Sequence, residues 1–216
     1  MAQPRTHTLA VNGLRLRSLE WGDATASPVV CVHGYTSSAE AFNAVGRRFA
    51  DRVRFVVPDV RGHGESAWSP DGAYQYADQA GDLAALVDAL ALDRFTLIGT
   101  SMGGIIAMTY AATHANRLTA LVLNDIGPDV EAGTQRITSV VGSRPDRFAT
   151  LDDAIAWRRE ASPVTASRPP EDQRELALGV LPHGELLAVP GVAHAPTLVE
   201  PVVVSALERL FGGSAR

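Results

Sequence analysis

The sequence predicts an α/β protein with a mostly parallel sheet covered by helices on both faces. Two observations carry this. Short apolar runs that read as buried strands alternate with helical stretches, the pattern left by crossovers between parallel strands. A turn of the form Gly-x-Ser-x-Gly, at residues 99–103, also falls where a strand runs into a helix with no loop between them.

The elements follow in order. Thr6–Ala10 and Leu14–Trp21 flank Asn12-Gly13, a two-residue hairpin signal. Val29–Val32 is a buried strand ending in His33-Gly34. Ala39–Ala50 has helical spacing, and Val53–Val57 is a second buried strand closed by Pro58-Asp59. Tyr76–Leu92 is amphipathic, with Leu83, Leu86, Val87 and Leu90 on one face. Phe95–Gly99 is a strand, Met102–Thr113 a helix, and Leu118–Leu123 a strand ending at Asn124-Asp125. From Ile126 to about Leu181 the pattern breaks, with two short helices expected at Leu151–Arg159 and Pro170–Leu178. Glu185–Val189 then reads as a last strand and Pro201–Phe211 as a last helix. The expected organisation is a core over 1–126, an excursion over 127–181 and a C-terminal strand and helix over 182–216.

The chain has 216 residues, 46% of them apolar and 20% charged, ordinary values for one globular domain. Net charge is −5 with no basic block, which argues against a nucleic-acid partner. All 19 cations are arginine, so no lysine chemistry is available. Cys31 stands alone, so no internal disulfide forms, and a cytoplasmic location is expected. Residues 1–10 lack the apolar core of a signal peptide. No run approaches the roughly 18 apolar residues of a membrane span, so no membrane association is expected.

Ser101 is the expected nucleophile. A strand that turns abruptly into a helix strains the corner residue and leaves its side chain exposed, and glycines two positions either side relieve the crowding. The helix start supplies free N–H groups and a positive dipole end for a developing oxyanion. In His33-Gly34-Tyr35, after the Val29–Val32 strand, the backbone matters most. The Tyr35 N–H and the Met102 N–H together make a two-donor oxyanion hole. His33 reads as a hydrogen-bonded structural histidine rather than a base.

Four segments together resemble the α/β-hydrolase superfamily, in its branch of small esterases, enol-lactonases and carbon–carbon bond hydrolases. They are Val32-His33-Gly34-Tyr35, Asp59 to Ser66, Gly99 to Gly104, and Pro190-Gly191-Val192-Ala193-His194-Ala195-Pro196. The resemblance implies a mostly parallel α/β-hydrolase sheet with a triad in the chain order nucleophile, acid, histidine. That makes His194 the base and gives the Asp59–Ser66 segment a structural role, so His63 is not the base. His7, His114 and His183 read as surface residues. Serine at the corner argues against dehalogenase and epoxide hydrolase chemistry, which in relatives uses a carboxylate there.

The chain departs from this family in one respect. The strand that usually precedes the last one, and carries the acid in the loop after it, has no counterpart. Residues 179–184 are too few for a strand–helix unit, because a parallel crossover needs at least ~10–12 residues. A reduced cap and one core strand fewer than usual are therefore expected. Asp125, after the strand beside the nucleophile's, is the first candidate acid, although Asn124 competes for the inward position. Asp129, Glu131, Glu171 and Asp172 are the others. The last strand sliding into the vacant slot, and a homodimer through the exposed sheet edge, are two further consequences.

The implied reaction is hydrolysis of small or short-chain carboxylic esters through an acyl-enzyme on Ser101. No metal or organic cofactor is expected, and the partner is a small-molecule ester. His33, Gly34, Trp68, Ile126 and Trp157 are candidate pocket residues, with Tyr35 and Met102 beside them. Enol-lactone or carbon–carbon bond hydrolysis, or a non-catalytic ligand-binding role, are the alternatives.

Overall fold

The computed structural model describes residues 3–126, 148–161 and 201–212. Its strands are β1 (Arg5–Val11), β2 (Leu14–Trp21), β3 (Pro28–Val32), β4 (Arg54–Pro58), β5 (Phe95–Thr100) and β6 (Leu118–Asn124). Its helices are α1 (Asn43–Phe49), α2 (Tyr76–Ala89), α3 (Met102–His114), α4 (Leu151–Ala161) and α5 (Pro201–Gly212). The strands form one sheet in the order β1-β2-β4-β3-β5-β6. β1, β2 and β4 are joined antiparallel, and β4, β3, β5 and β6 run parallel.

The hairpin forms as its sequence predicts. Asn12 and Gly13 both take positive φ, 49° and 76°, which a two-residue turn of this hand requires. Of the parallel strands, β3, β4 and β5 are buried on both faces. Val29, Cys31 and Ile98 look toward α1 and α5, where they pack with Phe49, Leu207 and Phe211. Val30, Val32 and Leu97 look toward α2 and α3, where they meet Leu83, Val87, Ile106 and Tyr110. Period-two alternation thus feeds two separate apolar layers, one on each side of the sheet.

Most strand and helix ends shift from the sequence reading by one or two residues, and two elements differ for a visible reason. The stretch from Ala39 splits into a 3-10 turn, Ala39–Phe42, and the short helix α1. α2 stops at Ala89 because Ala91 takes φ 53°, and the Leu92 N–H returns to the Val87 carbonyl at 2.9 Å. The expected helix at Pro170–Leu178 and strand at Glu185–Val189 lie outside the described residues. The expected helix at Leu151 is α4, where Phe148 and Trp157 pack with ring centroids 5.7 Å apart.

Candidate active site

The corner at Ser101 joins β5 to α3 without a loop, at φ 50° and ψ −114°. That φ is unfavourable for any residue with a Cβ and is sustained by the packing around it. The Ser101 N–H donates to the Asn124 carbonyl at 2.9 Å, and the Ser101 carbonyl accepts from Gly104 at 2.8 Å. Crowding explains the glycines. A Cβ at Gly99 would stand 2.4 Å from the Gly103 carbonyl oxygen, and one at Gly104 would stand 2.1 Å from Ile126 Cγ2. The Ser101 residue remains half-buried, with part of its surface open to solvent.

Two backbone segments converge on the serine. Met102 opens α3, so its N–H has no acceptor one turn back. From the end of β3, Gly34 lies against the corner: a Cβ there would be 3.6 Å from Ser101 Cβ and 3.5 Å from the Thr100 carbonyl. Tyr35 follows at once, a residue 38% exposed whose ring centroid lies 6.0 Å from that of His63. Burial, then the neighbouring Tyr76, pushes the Tyr35 phenol pKa up.

His33, expected as a pocket residue, plays a different part. Its ring is fully buried and both nitrogens are engaged by backbone. The Val60 N–H donates to Nε2 at 3.0 Å, which leaves the proton on Nδ1 to donate to the Gly34 carbonyl at 2.8 Å. Both ring nitrogens are thereby committed to backbone, and the ring ties the Gly34 carbonyl to the loop after β4. Burial drives the His33 pKa down to about 4. His63 stands 5.2 Å away, ring to ring, and also falls to about 4, through burial and then through His33.

Behind these rings Asp59 organises the loop. Its carboxylate accepts from Arg17 Nη1 at 2.9 Å, from the Ala39 N–H at 2.7 Å and from the Glu65 N–H at 3.0 Å. Arg17 also pairs with Glu40 at 2.6 Å. Burial, then Glu40, raises the Asp59 pKa despite these donors. Arg17 was not legible as part of this network, since nothing local distinguishes it from Arg15 in the same strand. Arg61 makes a second buried pair, donating to both carboxylate oxygens of Asp82 at 2.6 and 2.7 Å.

At the end of β6, Asn124 rather than Asp125 takes the buried position. Asn124 Nδ2 donates to Thr100 Oγ1 at 3.1 Å, and Asp125 turns outward at φ 55°. Thr100 and Asn124 are register partners at the ends of β5 and β6, so Asp125 is the first residue past β6 as Ser101 is the first past β5, and it is exposed. Ile126 seats its side chain on Gly104, in the first turn of α3. Trp68 is 45% exposed and Trp157 is half-buried on α4. His194, Asp129, Glu131, Glu171, Asp172 and His183 lie outside the described residues. Among the described residues no cluster of His, Cys, Asp or Glu could hold a metal ion, and no helix is long and apolar enough to cross a membrane.

Comparison with known proteins agrees with this architecture. A family model described as the alpha/beta hydrolase fold matches residues 27–179. The 3-hydroxybutyrate-oligomer hydrolase of Cupriavidus necator is 32% identical over 93% of this chain and 70% of its own length. Esterase YbfF of Escherichia coli is 35% identical over 47% of this chain and 39% of its own. Other curated relatives are matched over 34% to 58% of their length. The crystal structure of an alpha/beta hydrolase from Novosphingobium aromaticivorans superposes with a TM-score of 0.79 at 26% identity, covering 98% of this chain and 99% of that one.

Proposed function

The chain belongs to the α/β-hydrolase fold family, and we propose that it is a serine hydrolase acting on small or short-chain carboxylic esters, with Ser101 as nucleophile. One observation carries this reading. The strained corner holds Ser101 partly open to solvent at a helix start, with the Gly34-Tyr35 turn against it. That is where a carbonyl would meet a nucleophile and two N–H donors at once.

In this proposal His194 takes the Ser101 proton as the oxygen attacks the ester carbonyl. The Tyr35 and Met102 N–H groups receive the oxyanion. His194 then protonates the leaving alcohol, and water releases the acyl group by the same route. Asp125 is the proposed partner of His194, supported by its place as the first residue past β6, as Ser101 is the first past β5. Ile126, Gly34 and Tyr35 border the acyl group, with Trp68 and Trp157 as outer contacts. The relative from Cupriavidus necator supports the substrate class, because oligomers of a hydroxy acid are joined by carboxylic esters.

The test is labelling by a fluorophosphonate together with turnover of acetate and butyrate nitrophenyl esters. Parent protein should label and turn over, and Ser101→Ala should do neither while keeping its melting temperature. Equal turnover by Ser101→Ala would end the proposal. Absence of labelling and turnover in both would favour a binding role.

A further inference from the structure

Among the described residues five positions other than glycine take positive φ, and Thr36, at 58°, is the β-branched one. Asn12 and Asp125 carry short polar side chains that the left-handed region tolerates, Ala91 has no branch, and Ser101 is the corner itself. A branched side chain in that region is costly and persists only where its surroundings hold it. Thr36 is held: it is buried, and its Oγ1 donates to the Tyr35 carbonyl at 2.6 Å. The strained residue thus directly follows the one that carries a proposed oxyanion donor.

Tyr35 lies between two peptide units, and a buried side chain grips each of them. The first unit joins Gly34 to Tyr35. Its carbonyl accepts from His33 Nδ1 at 2.8 Å, and in a trans peptide the N–H points the opposite way. That N–H is the proposed donor. The second unit joins Tyr35 to Thr36, and its carbonyl is the one that Thr36 Oγ1 engages. Holding both planes fixes the φ and ψ of Tyr35 between them, whereas His33 alone leaves ψ free to turn. Tyr35 is itself 38% exposed, so burial of its own side chain does less to fix it.

We propose that Thr36 is a positioning residue, whose hydroxyl pins the plane after Tyr35 and so keeps the Tyr35 N–H aimed at the space over Ser101, where Gly34 lies against the corner. The pinning stands on the geometry alone, and its effect on turnover rests on the serine-hydrolase reading. Backbone strain accompanies the arrangement. Glycine at this position relaxes the backbone and releases the plane together, so stability and turnover should move apart. A merely structural threonine would move them in step.

Two variants of the full chain separate the parts of the side chain. Thr36→Ser keeps the hydroxyl and removes the branch, and Thr36→Gly removes both. Nitrogen-15 relaxation of the Tyr35 amide reads the pinning without substrate. The order parameter should stand near ~0.85 in the parent and in Thr36→Ser, and below ~0.6 in Thr36→Gly. With a nitrophenyl ester, kcat should fall at least ~10-fold in Thr36→Gly at unchanged KM, because an oxyanion donor acts in the transition state, and Thr36→Ser should recover most of it. The urea midpoint of Thr36→Gly should lie at or above that of the parent. A mobile Tyr35 amide in the parent, an equally rigid one in Thr36→Gly, a loss of kcat that Thr36→Ser does not recover, or one that merely follows the urea midpoint downward would overturn the proposal. Fluorophosphonate labelling of the same samples keeps the two readings apart. A parent that neither labels nor turns over ester, but loses Tyr35 order in Thr36→Gly, sinks the hydrolase and supports the pinning. A parent that labels, with order and kcat both kept in Thr36→Gly, sinks the pinning alone.

Discussion

Gly103 lies so close to the end of β3 that a Cβ on it would stand 2.1 Å from the Val32 carbonyl oxygen and 2.7 Å from that of His33. Both atoms are backbone, so neither can swing aside. Gly103→Ala must push α3 away from the loop that carries Gly34 and Tyr35. Overpacking of this kind costs about 1–3 kcal/mol. The urea midpoint should fall accordingly. Ester turnover should fall further than stability does, because the two proposed oxyanion donors sit on the parts being separated. A variant with parental midpoint and parental kcat would contradict the close approach.

The buried histidines make the fold sensitive to mild acid. His33 and His63 stand near pH 4 in the folded chain, against an ordinary value of about 6.5 in the unfolded one. Between those limits the unfolded state binds more protons. The stability these two rings contribute is therefore complete above about pH 6.5, falls as pH drops, and is lost below about 4. Each ring contributes on the order of 3 kcal/mol, less where the two share their mutual repulsion. Unfolding free energy followed from pH 7 to 4 should decline, and His33→Gln with His63→Gln should flatten that decline. An equally steep profile in the double variant would assign the acid sensitivity elsewhere.

Asp59 has the largest stake of any single carboxylate in the loop behind the site. It is fully buried and accepts from Arg17, Ala39 and Glu65 together. Asp59→Ala leaves a buried guanidinium with fewer partners and two N–H groups with none, a loss of about 3–5 kcal/mol. Guanidinium unfolding should show it. Replacing the network as Arg17→Met, Asp59→Leu and Glu40→Gln together should recover part of that loss, since Arg17 also serves Glu40 and the desolvation cost of all three charges then disappears with them. No recovery would mean that the backbone N–H bonds, and not the ion pair, carry the effect.

What was legible in the sequence was local chemistry. The glycines at 99, 103 and 104 betray the corner because no other residue fits there, and Asn12-Gly13 betrays the hairpin because both positions need positive φ. What escaped depends on register and on distant partners. Whether Asn124 or Asp125 points inward is decided by the pairing of Thr100 with Asn124, which fixes where β6 ends relative to β5. Arg17 looks like any outward arginine of an amphipathic strand until Asp59 and Glu40 arrive from elsewhere in the chain. The position of His33 after a buried strand points to a structural role, but its bond from Val60 depends on the loop after β4, which is distant in sequence.

The end of α2 offers a stabilising substitution away from the site. Ala91 occupies the left-handed region at φ 53°, where its N–H reaches the Asp88 carbonyl at 3.0 Å and Leu92 reaches back to Val87. Glycine is the usual residue at this helix-ending position because its missing Cβ removes the steric cost, about 1–2 kcal/mol for an L-residue. Part of that gain is returned through the greater freedom of glycine in the unfolded chain. Ala91→Gly should therefore raise stability by about 1 kcal/mol, or roughly 2–4 °C in Tm for a chain of this size. Ala91 is exposed and lies at the far end of α2 from its first turn, so ester turnover should stay at the parental level. An unchanged or lower Tm would show that the turn holds Ala91 without appreciable strain.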